Sequence, residues 1–280
     1  MRGDAVLRAG VAQLVEAGIE GAPRDARRLM AGAMGVTADR LTLCLADEID
    51  ESVRTRFADY IARRARREPV SHILGGRLFH GRWFTVSRDV LDPRPETEAL
   101  VEAALAAPFS RVLDLGTGSG AILITLLADR DEARGVGTDL SEAALGVARD
   151  NAQRLNVAGQ AEFRCADWFS GIEGRFDLIV SNPPYIAQAE MAGLSPELKF
   201  EPHMALSDGG DGLSAYRVIA GEALRYLEPG GRLMVEIGPT QAEAVADLMH
   251  AGGFVGVRVV ADLDDRDRVV MANAPDFNDS

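Results

Sequence analysis

Four consecutive residues, Asn182-Pro183-Pro184-Tyr185, could do the most specific chemistry in this 280-residue chain. They follow Asp177-Leu178-Ile179-Val180-Ser181, an apolar run that reads as a strand. Neither proline has a backbone N–H and both have a fixed φ, so the segment is stiff and its carbonyls can face a ligand. Asn182 adds a side-chain carbonyl. Two such acceptors can take both hydrogens of an –NH2 group and fix its plane, while Tyr185 offers a flat face for stacking. A planar amide or amine nitrogen needs this help, because its lone pair is delocalised. Holding both hydrogens and aligning the nitrogen with an electrophile lowers the barrier by orientation and electrostatics. No strong base is required before attack, since the proton becomes acidic once the nitrogen is alkylated. The plainer alternative is a Pro-Pro turn that merely ends a strand.

A second constellation lies upstream. Val112-Leu113-Asp114-Leu115-Gly116-Thr117-Gly118-Ser119-Gly120-Ala121 places a glycine-rich turn between a predicted strand and a predicted helix. Without a Cβ, glycine lets the chain turn tightly and a ligand approach its backbone. Asp139, about twenty residues on at the next strand end, suits hydrogen bonds from ribose hydroxyls. The loop reads Gly-x-Gly-x-Gly, not the Gly-x-Gly-x-x-Gly of dinucleotide binders. A carboxylate at Asp114 would repel a pyrophosphate and favour the cationic amino-acid portion of S-adenosylmethionine. Just past the third strand, Asp167 could accept from an adenine amine. Trp168 could cover the ring; its other reading is a core tryptophan.

These residues need a scaffold that brings strand ends together. From Pro95 onward, short apolar strands alternate with helical stretches. The strands are Val112–Leu115, Gly135–Thr138, Glu162–Cys165, Leu178–Ser181, Leu233–Ile237, Val257–Val260 and Val269–Ala272. The helices are Ala121–Leu127, Ala143–Leu155, Ala215–Leu227 and Ala242–Met249. Such alternation predicts an α/β domain over residues 95–280, a mostly parallel sheet covered on both faces. The last two strands have no helix between them and predict an antiparallel edge hairpin. Residues 1–75 read as a small helical bundle, with Pro23 opening the second helix, Gly35 stopping it and Pro69 closing the series. Residues 76–94, with Leu78-Phe79-His80-Gly81-Arg82-Trp83-Phe84-Thr85-Val86, read as a β-hairpin linker.

The net charge of −13 argues against gripping a nucleic-acid backbone. The basic run Arg63-Arg64-Ala65-Arg66-Arg67 reads as a solvated helix end rather than a phosphate contact. Cys44 and Cys165 are far apart and the four histidines are scattered, so neither a disulfide framework nor a metal site is expected. No apolar run is long enough to span a bilayer, and Met1-Arg2-Gly3-Asp4 leads straight into an amphipathic helix. A cytoplasmic protein without membrane association is expected.

Together the tetrapeptide, the glycine loop and Asp139 resemble the methyltransferases that act on amide or exocyclic nitrogens. The resemblance narrows with Arg67-Glu68-Pro69-Val70-Ser71-His72-Ile73-Leu74-Gly75, with Val90-Leu91-Asp92-Pro93-Arg94-Pro95-Glu96-Thr97-Glu98, and with Glu201-Pro202 followed by Ala205-Leu206. With the helical N-terminus, these are similar to the release-factor glutamine methyltransferases, the PrmC/HemK family, over nearly the whole chain. The likeness implies a Rossmann-like class I methyltransferase domain, S-adenosylmethionine as methyl donor and S-adenosylhomocysteine as product. It implies methylation of the side-chain amide nitrogen of glutamine in the Gly-Gly-Gln loop of class 1 release factors, with the helical domain helping to recognise the factor. By the same likeness, Gly116, Thr117, Gly118, Ser119, Gly120, Asp139, Trp168 and Asn182 contact the cofactor, and Asn182, Pro183, Pro184 and Tyr185 hold the glutamine. Arg94 and Glu98 are open between shaping the site and an exposed salt bridge. Two positions depart from the pattern: His72 stands where tyrosine is expected, and Asp92 where an apolar residue is expected.

Other functions fit less well. A ribosomal-protein glutamine methyltransferase would share fold and site and differ in docking surface. An adenine-N6 DNA methyltransferase must extrude its base and usually carries a basic target-reading region, which is not visible here. A non-catalytic nucleotide-binding protein would have no evident need for acceptors aimed at a nitrogen. A dehydrogenase is disfavoured by the loop spacing.

Overall fold

The structure is a computed structural model, which describes residues 1–276. It divides into two compact units, one of Met1–Gly76 with Ser195–Phe200, the other of Arg77–Leu194 with Glu201 onward.

The first unit contains α1 (Gly3–Glu16), α2 (Ala22–Met34), a single turn α3 (Leu41–Cys44), α4 (Glu51–Ala65) and a short α5 (Val70–Leu74). Leu7, Gly10 and Leu14 form the buried stripe of α1 at helical spacing. At Gly10 a Cβ would stand 2.6 Å from the Phe57 ring, so only glycine lets α1 and α4 approach this closely. Pro69 does not close the helical series as expected. α4 has already ended at Ala65 and the chain turns at Arg67, φ +72°, while the φ of −59° at Pro69 suits the start of a helix, and α5 follows it directly.

The basic run is not a solvated helix end either. Arg64 is 6% exposed; its Nε donates to Asp25 Oδ2 at 2.9 Å and its terminal nitrogen to Glu197 Oε1 at 3.0 Å. Arg63 forks onto Glu68 at 2.9 and 2.6 Å, and Arg67 reaches Glu197 at 3.5 Å and the carbonyls of Ala17 and Gly18. Arg64 and Arg67 thus pair with partners distant in sequence and Arg63 with nearby Glu68, while Arg66 is exposed.

The second unit opens with the hairpin β1 (Arg77–Phe79) and β2 (Arg82–Phe84), in which Leu78 faces Trp83. After α6 (Glu98–Leu105) come β3 (Arg111–Leu115), α7 (Ala121–Ala128), β4 (Arg134–Asp139), α8 (Glu142–Arg154), β5 (Ala161–Cys165) and β6 (Phe176–Ser181). The chain continues through α9 (Ser214–Glu222), β7 (Leu227–Glu236), α10 (Ala242–Ala251), β8 (Val255–Ala261) and β9 (Asp267–Asn273). The sheet order is β5-β4-β3-β6-β7-β9-β8, parallel except for the β9 and β8 edge. This is the doubly wound architecture that the alternation of strands and helices predicts. Val112, Leu178, Val180 and Met234 pack under α6 and α7, while Leu113, Leu115, Ile179, Leu233 and Val235 pack under α9 and α10. Burial on both faces explains why apolar residues run consecutively in these strands instead of alternating with polar ones. α9 ends earlier than the sequence suggests, because Leu227 is taken into the sheet opposite Phe176.

Asp92 is 3% exposed and ion-paired with Arg77 at 2.7 Å, so the departure from an apolar residue is met by a cation within the same unit. Among the described residues, no helix is long and apolar enough to cross a membrane, and no cluster of His, Cys, Asp or Glu could hold a metal ion.

Candidate active site

The site follows from strand register. Leu115 of β3 is opposite Thr138 of β4 on one side and Ser181 of β6 on the other. One step further along each strand come Gly116, Asp139 and Asn182. β3 lies between β4 and β6, so the connections leaving it and β6 part company and open a crevice at the carboxyl ends. Ser181 Oγ donates to the Leu115 carbonyl at 2.7 Å, which ties β6 to β3 just below that crevice.

Gly116, Thr117, Gly118, Ser119, Asp139, Asp167, Trp168, Asn182 and Pro184 all line this one pocket. Gly120, Pro183 and Tyr185 are not among its lining residues. Gly120 instead caps α7 at φ +79°, and a Cβ there would fall 2.6 Å from Ile124. Pro183 is buried, while its neighbours Asn182 and Pro184 line the cavity. Tyr185 is half-buried, and its carbonyl accepts from Gln241 Nε2 at 3.0 Å. Burial, assisted by the nearby Glu236, pushes its phenol up to about 12, so it stays neutral.

The loop is held by its own backbone and by Asp139. Gly116 and Gly118 adopt φ of +71° and +54°, a region that favours glycine. The Thr117 amide donates to the Thr138 carbonyl at 2.8 Å. Asp139 fixes the rest: its Oδ2 accepts from the Gly118 amide and its Oδ1 from the Ser141 amide, both at 2.9 Å. Each oxygen keeps a second lone pair for a ligand hydroxyl. Burial pushes this carboxyl up, opposed by the Ser141 and Gly118 amides. Trp168 holds φ +49°, and a Cβ on Gly116 would be 3.9 Å from its ring, so the indole borders the glycine loop. Asp167 is exposed at the rim.

Asp114 plays a different part from the one its position suggests. It is fully buried, accepts from the Thr117 hydroxyl at 2.6 Å, and is not on the pocket wall. Burial, with a contribution from Asp139, pushes its carboxyl up to about 7. It shapes the loop from behind.

The structure separates the two readings of Arg94 and Glu98 and adds two further residues to the pocket. Arg94 lines the pocket and donates from one terminal nitrogen to both carboxylate oxygens of Glu201, at 2.7 and 2.8 Å, whereas Glu98 accepts from the His80 amide at 2.9 Å. Of these two, Arg94 belongs to the pocket. Thr97 and Met204 also line it, and the Thr97 hydroxyl accepts from Asn182 Nδ2 at 3.2 Å. The sole sequence signal for Thr97 was its place in the Pro-Arg-Pro-Glu-Thr-Glu segment.

The cavity thus combines a backbone cradle, a ribose-type acceptor, an indole and a stiff acceptor segment, a donor set that fits S-adenosylmethionine beside an –NH2 substrate. Comparisons with known proteins agree with this geometry. Residues 5–75 match the family described as PrmC N-terminal domain, and residues 85–213 match the methyltransferase small domain. The chain is 57% identical over 276 residues to the release factor glutamine methyltransferase of Cereibacter sphaeroides, covering 98% of this chain and 99% of that one. It is 46% identical to that of Caulobacter vibrioides, covering 92% of each. Among solved structures, a methyltransferase from Pyrococcus furiosus superposes with a TM-score of 0.55 at 18% identity, over 70% of this chain and 91% of that one. The hMettl16 catalytic domain gives 0.58 at 18% identity, over 79% and 83%. These two likenesses concern the fold.

Proposed function

This chain belongs to the release factor glutamine methyltransferase family, and we propose that it methylates the side-chain amide nitrogen (N5) of the glutamine in the Gly-Gly-Gln motif of class 1 peptide-chain release factors. The observation that carries this reading is the register of three neighbouring strand ends, which puts Gly116, Asp139 and Asn182 on one pocket.

S-adenosylmethionine supplies an electrophilic methyl on a sulfonium. The Gly116–Ser119 loop and Asp139 would hold its amino-acid and ribose portions, with Asp167 and Trp168 at the adenine. The chain's own contribution is orientation. Asn182 Oδ1 and the Pro183 carbonyl accept the two amide hydrogens of the glutamine, and Pro184 and Tyr185 border its plane. The bound donor would supply the methyl to the nitrogen lone pair, its sulfur leaving with the bonding electrons, while Asn182 and Pro183 keep that lone pair aligned. The nitrogen then loses a proton to water. No side chain has to act as a strong base.

The helical unit is assigned to recognition of the release factor. By the same family reading the enzyme acts in the cytoplasm, and two free cysteines fit a reducing compartment.

The test is transfer of labelled methyl to purified release factor by wild type and Asn182→Ala, with a ribosomal-protein fraction and duplex DNA as competitors. Label on the Gly-Gly-Gln glutamine that disappears with Asn182→Ala supports both reaction and site. Label on a competitor instead of the factor would replace the substrate.

A further inference from the structure

We propose that Thr97 and Glu236 are positioning residues for the methyl transfer: a Glu236–Thr97–Asn182 hydrogen-bond relay sets which end of the Asn182 amide faces the substrate. This rests on the reading of Asn182 as the acceptor for the glutamine amide.

The argument is one of proton counting. Thr97 is 4% exposed and stands between the other two groups. Its hydroxyl has one hydrogen and two lone pairs. It is hydrogen-bonded to the Glu236 side chain on one side and to Asn182 Nδ2, at 3.2 Å, on the other. An ionised Glu236 can only accept, so the Thr97 hydrogen must point to it. The Thr97 oxygen is then able only to accept from Asn182. The NH2 end of Asn182 is therefore drawn back to Thr97, and its Oδ1 is presented to the pocket as an acceptor. A protonated Glu236 removes that compulsion, because it can donate to Thr97 and free the hydroxyl to donate to Asn182. The amide can then turn over and offer N–H groups to a substrate that also has only N–H groups to give.

Glu236 is placed to carry such a signal. It ends β7, is 1% exposed, and its Oε2 has no hydrogen-bond partner. Burial pushes its carboxyl up to about 7, opposed by Thr97 and by Arg268 of β9. Arg268 is itself shared with Asp262 at 3.1 Å. The other groups facing Glu236 are Arg94 and Glu96 before α6, Tyr185 after β6, and Tyr216 of α9, whose hydroxyl donates to the Glu236 main-chain carbonyl at 2.8 Å. Tyr185 and Tyr216 are both raised and stay neutral, whereas Glu236, pushed up to about 7, changes charge near neutrality.

The experiment measures kcat, the KM for S-adenosylmethionine and the pH profile of kcat in wild type, Thr97→Val, Thr97→Ser, Glu236→Gln and Asn182→Ala. Cofactor affinity by calorimetry checks that each variant is folded. Thr97→Val, equal in shape but without the hydroxyl, is expected to lose about 10–100-fold in kcat with cofactor KM within about twofold, since only transition-state orientation is affected. Thr97→Ser, which keeps the hydroxyl, restores the rate. Wild-type kcat is expected to rise with pH through the neutral range, and Glu236→Gln to lack that limb. Asp114, raised to the same range, would leave the limb intact in Glu236→Gln. A Thr97→Val enzyme as fast as wild type, or a Glu236→Gln profile identical to wild type, overturns the relay. Full activity in Asn182→Ala overturns the reading beneath it, which is a distinguishable result.

Discussion

Gly212 offers a sharp test of how the acceptor segment is held. It adopts φ +77°, and a Cβ there would stand 2.3 Å from the Tyr185 carbonyl oxygen, 3.1 Å from its carbon and 3.0 Å from Gln241 Nε2. A carbon–oxygen contact closes at about 3.3 Å, so roughly 1 Å must be yielded. The obstacle is backbone and cannot swing aside. Gln241 Nε2 also bridges the carbonyls of Tyr185 and Gly212, at 3.0 and 3.2 Å, and would be displaced. Positive φ costs alanine about 1–2 kcal/mol and a lost hydrogen bond about 1 kcal/mol, giving Gly212→Ala a destabilisation of about 2–3 kcal/mol. Displacing Tyr185 by that distance should lower kcat about 100-fold. Cofactor affinity should hold within about twofold, because Gly212 is not on the pocket wall. The assay is methyl transfer with calorimetric cofactor binding and thermal unfolding. Gly146→Ala, where nothing lies within 4 Å of the added carbon, serves as the control. Gly212→Ala with wild-type kcat and melting temperature would refute the claim that Gly212 clears space for the acceptor segment.

Three further outcomes are expected. Asp139→Asn must turn an NH2 group toward either the Gly118 or the Ser141 amide; losing one charge-assisted bond of about 1.5–3 kcal/mol should weaken S-adenosylmethionine binding about 10–150-fold by calorimetry. Arg64→Met strands the buried carboxylate of Asp25, which should cost the helical unit about 3–5 kcal/mol in denaturant unfolding. Glu236 is raised from 4.5 to about 7 in the folded state, so between those values the folded protein keeps a proton the unfolded chain has released. Stability therefore falls as pH rises across that window, by about 3 kcal/mol in all, and Glu236→Gln should raise the melting temperature at pH 8 while changing it little at pH 4.

The parts of the site that could be read from sequence are those written contiguously. Asn182-Pro183-Pro184-Tyr185 and the Gly116–Gly120 turn each follow a strand whose apolar run is dictated by burial on both faces, so their place at strand ends followed. Asp139 needed only the next strand. What escaped depends on contacts between distant residues. Thr97 and Asn182 are 85 positions apart, and Arg64 finds Asp25 and Glu197 at separations of 39 and 133. A charge run carries no local mark of such partners, so Arg64 read as solvated. Asp114 was misleading for a related reason: its spacing put it beside the loop, but the alternation of β3 turned its side chain into the core. Pro69 starts α5 instead of ending the series, and since a proline suits a helix start as well as it blocks a helix interior, sequence alone does not say which role it takes.

The six residues Ser195–Phe200 pack with the helical unit although both their flanks belong to the catalytic one, so the chain passes between units three times, at residues 76–77, 194–195 and 200–201. A cut at residue 76 does not release a self-sufficient piece. It strips Glu197 from Arg64 and Arg67, and leaves the other piece with six residues whose partners are gone. Modularity at the level of the gene is correspondingly restricted. A fusion or recombinant that exchanged the N-terminal 76 residues for those of another protein would have to bring a matching 195–200 segment with it, and the two stretches are expected to change together or not at all.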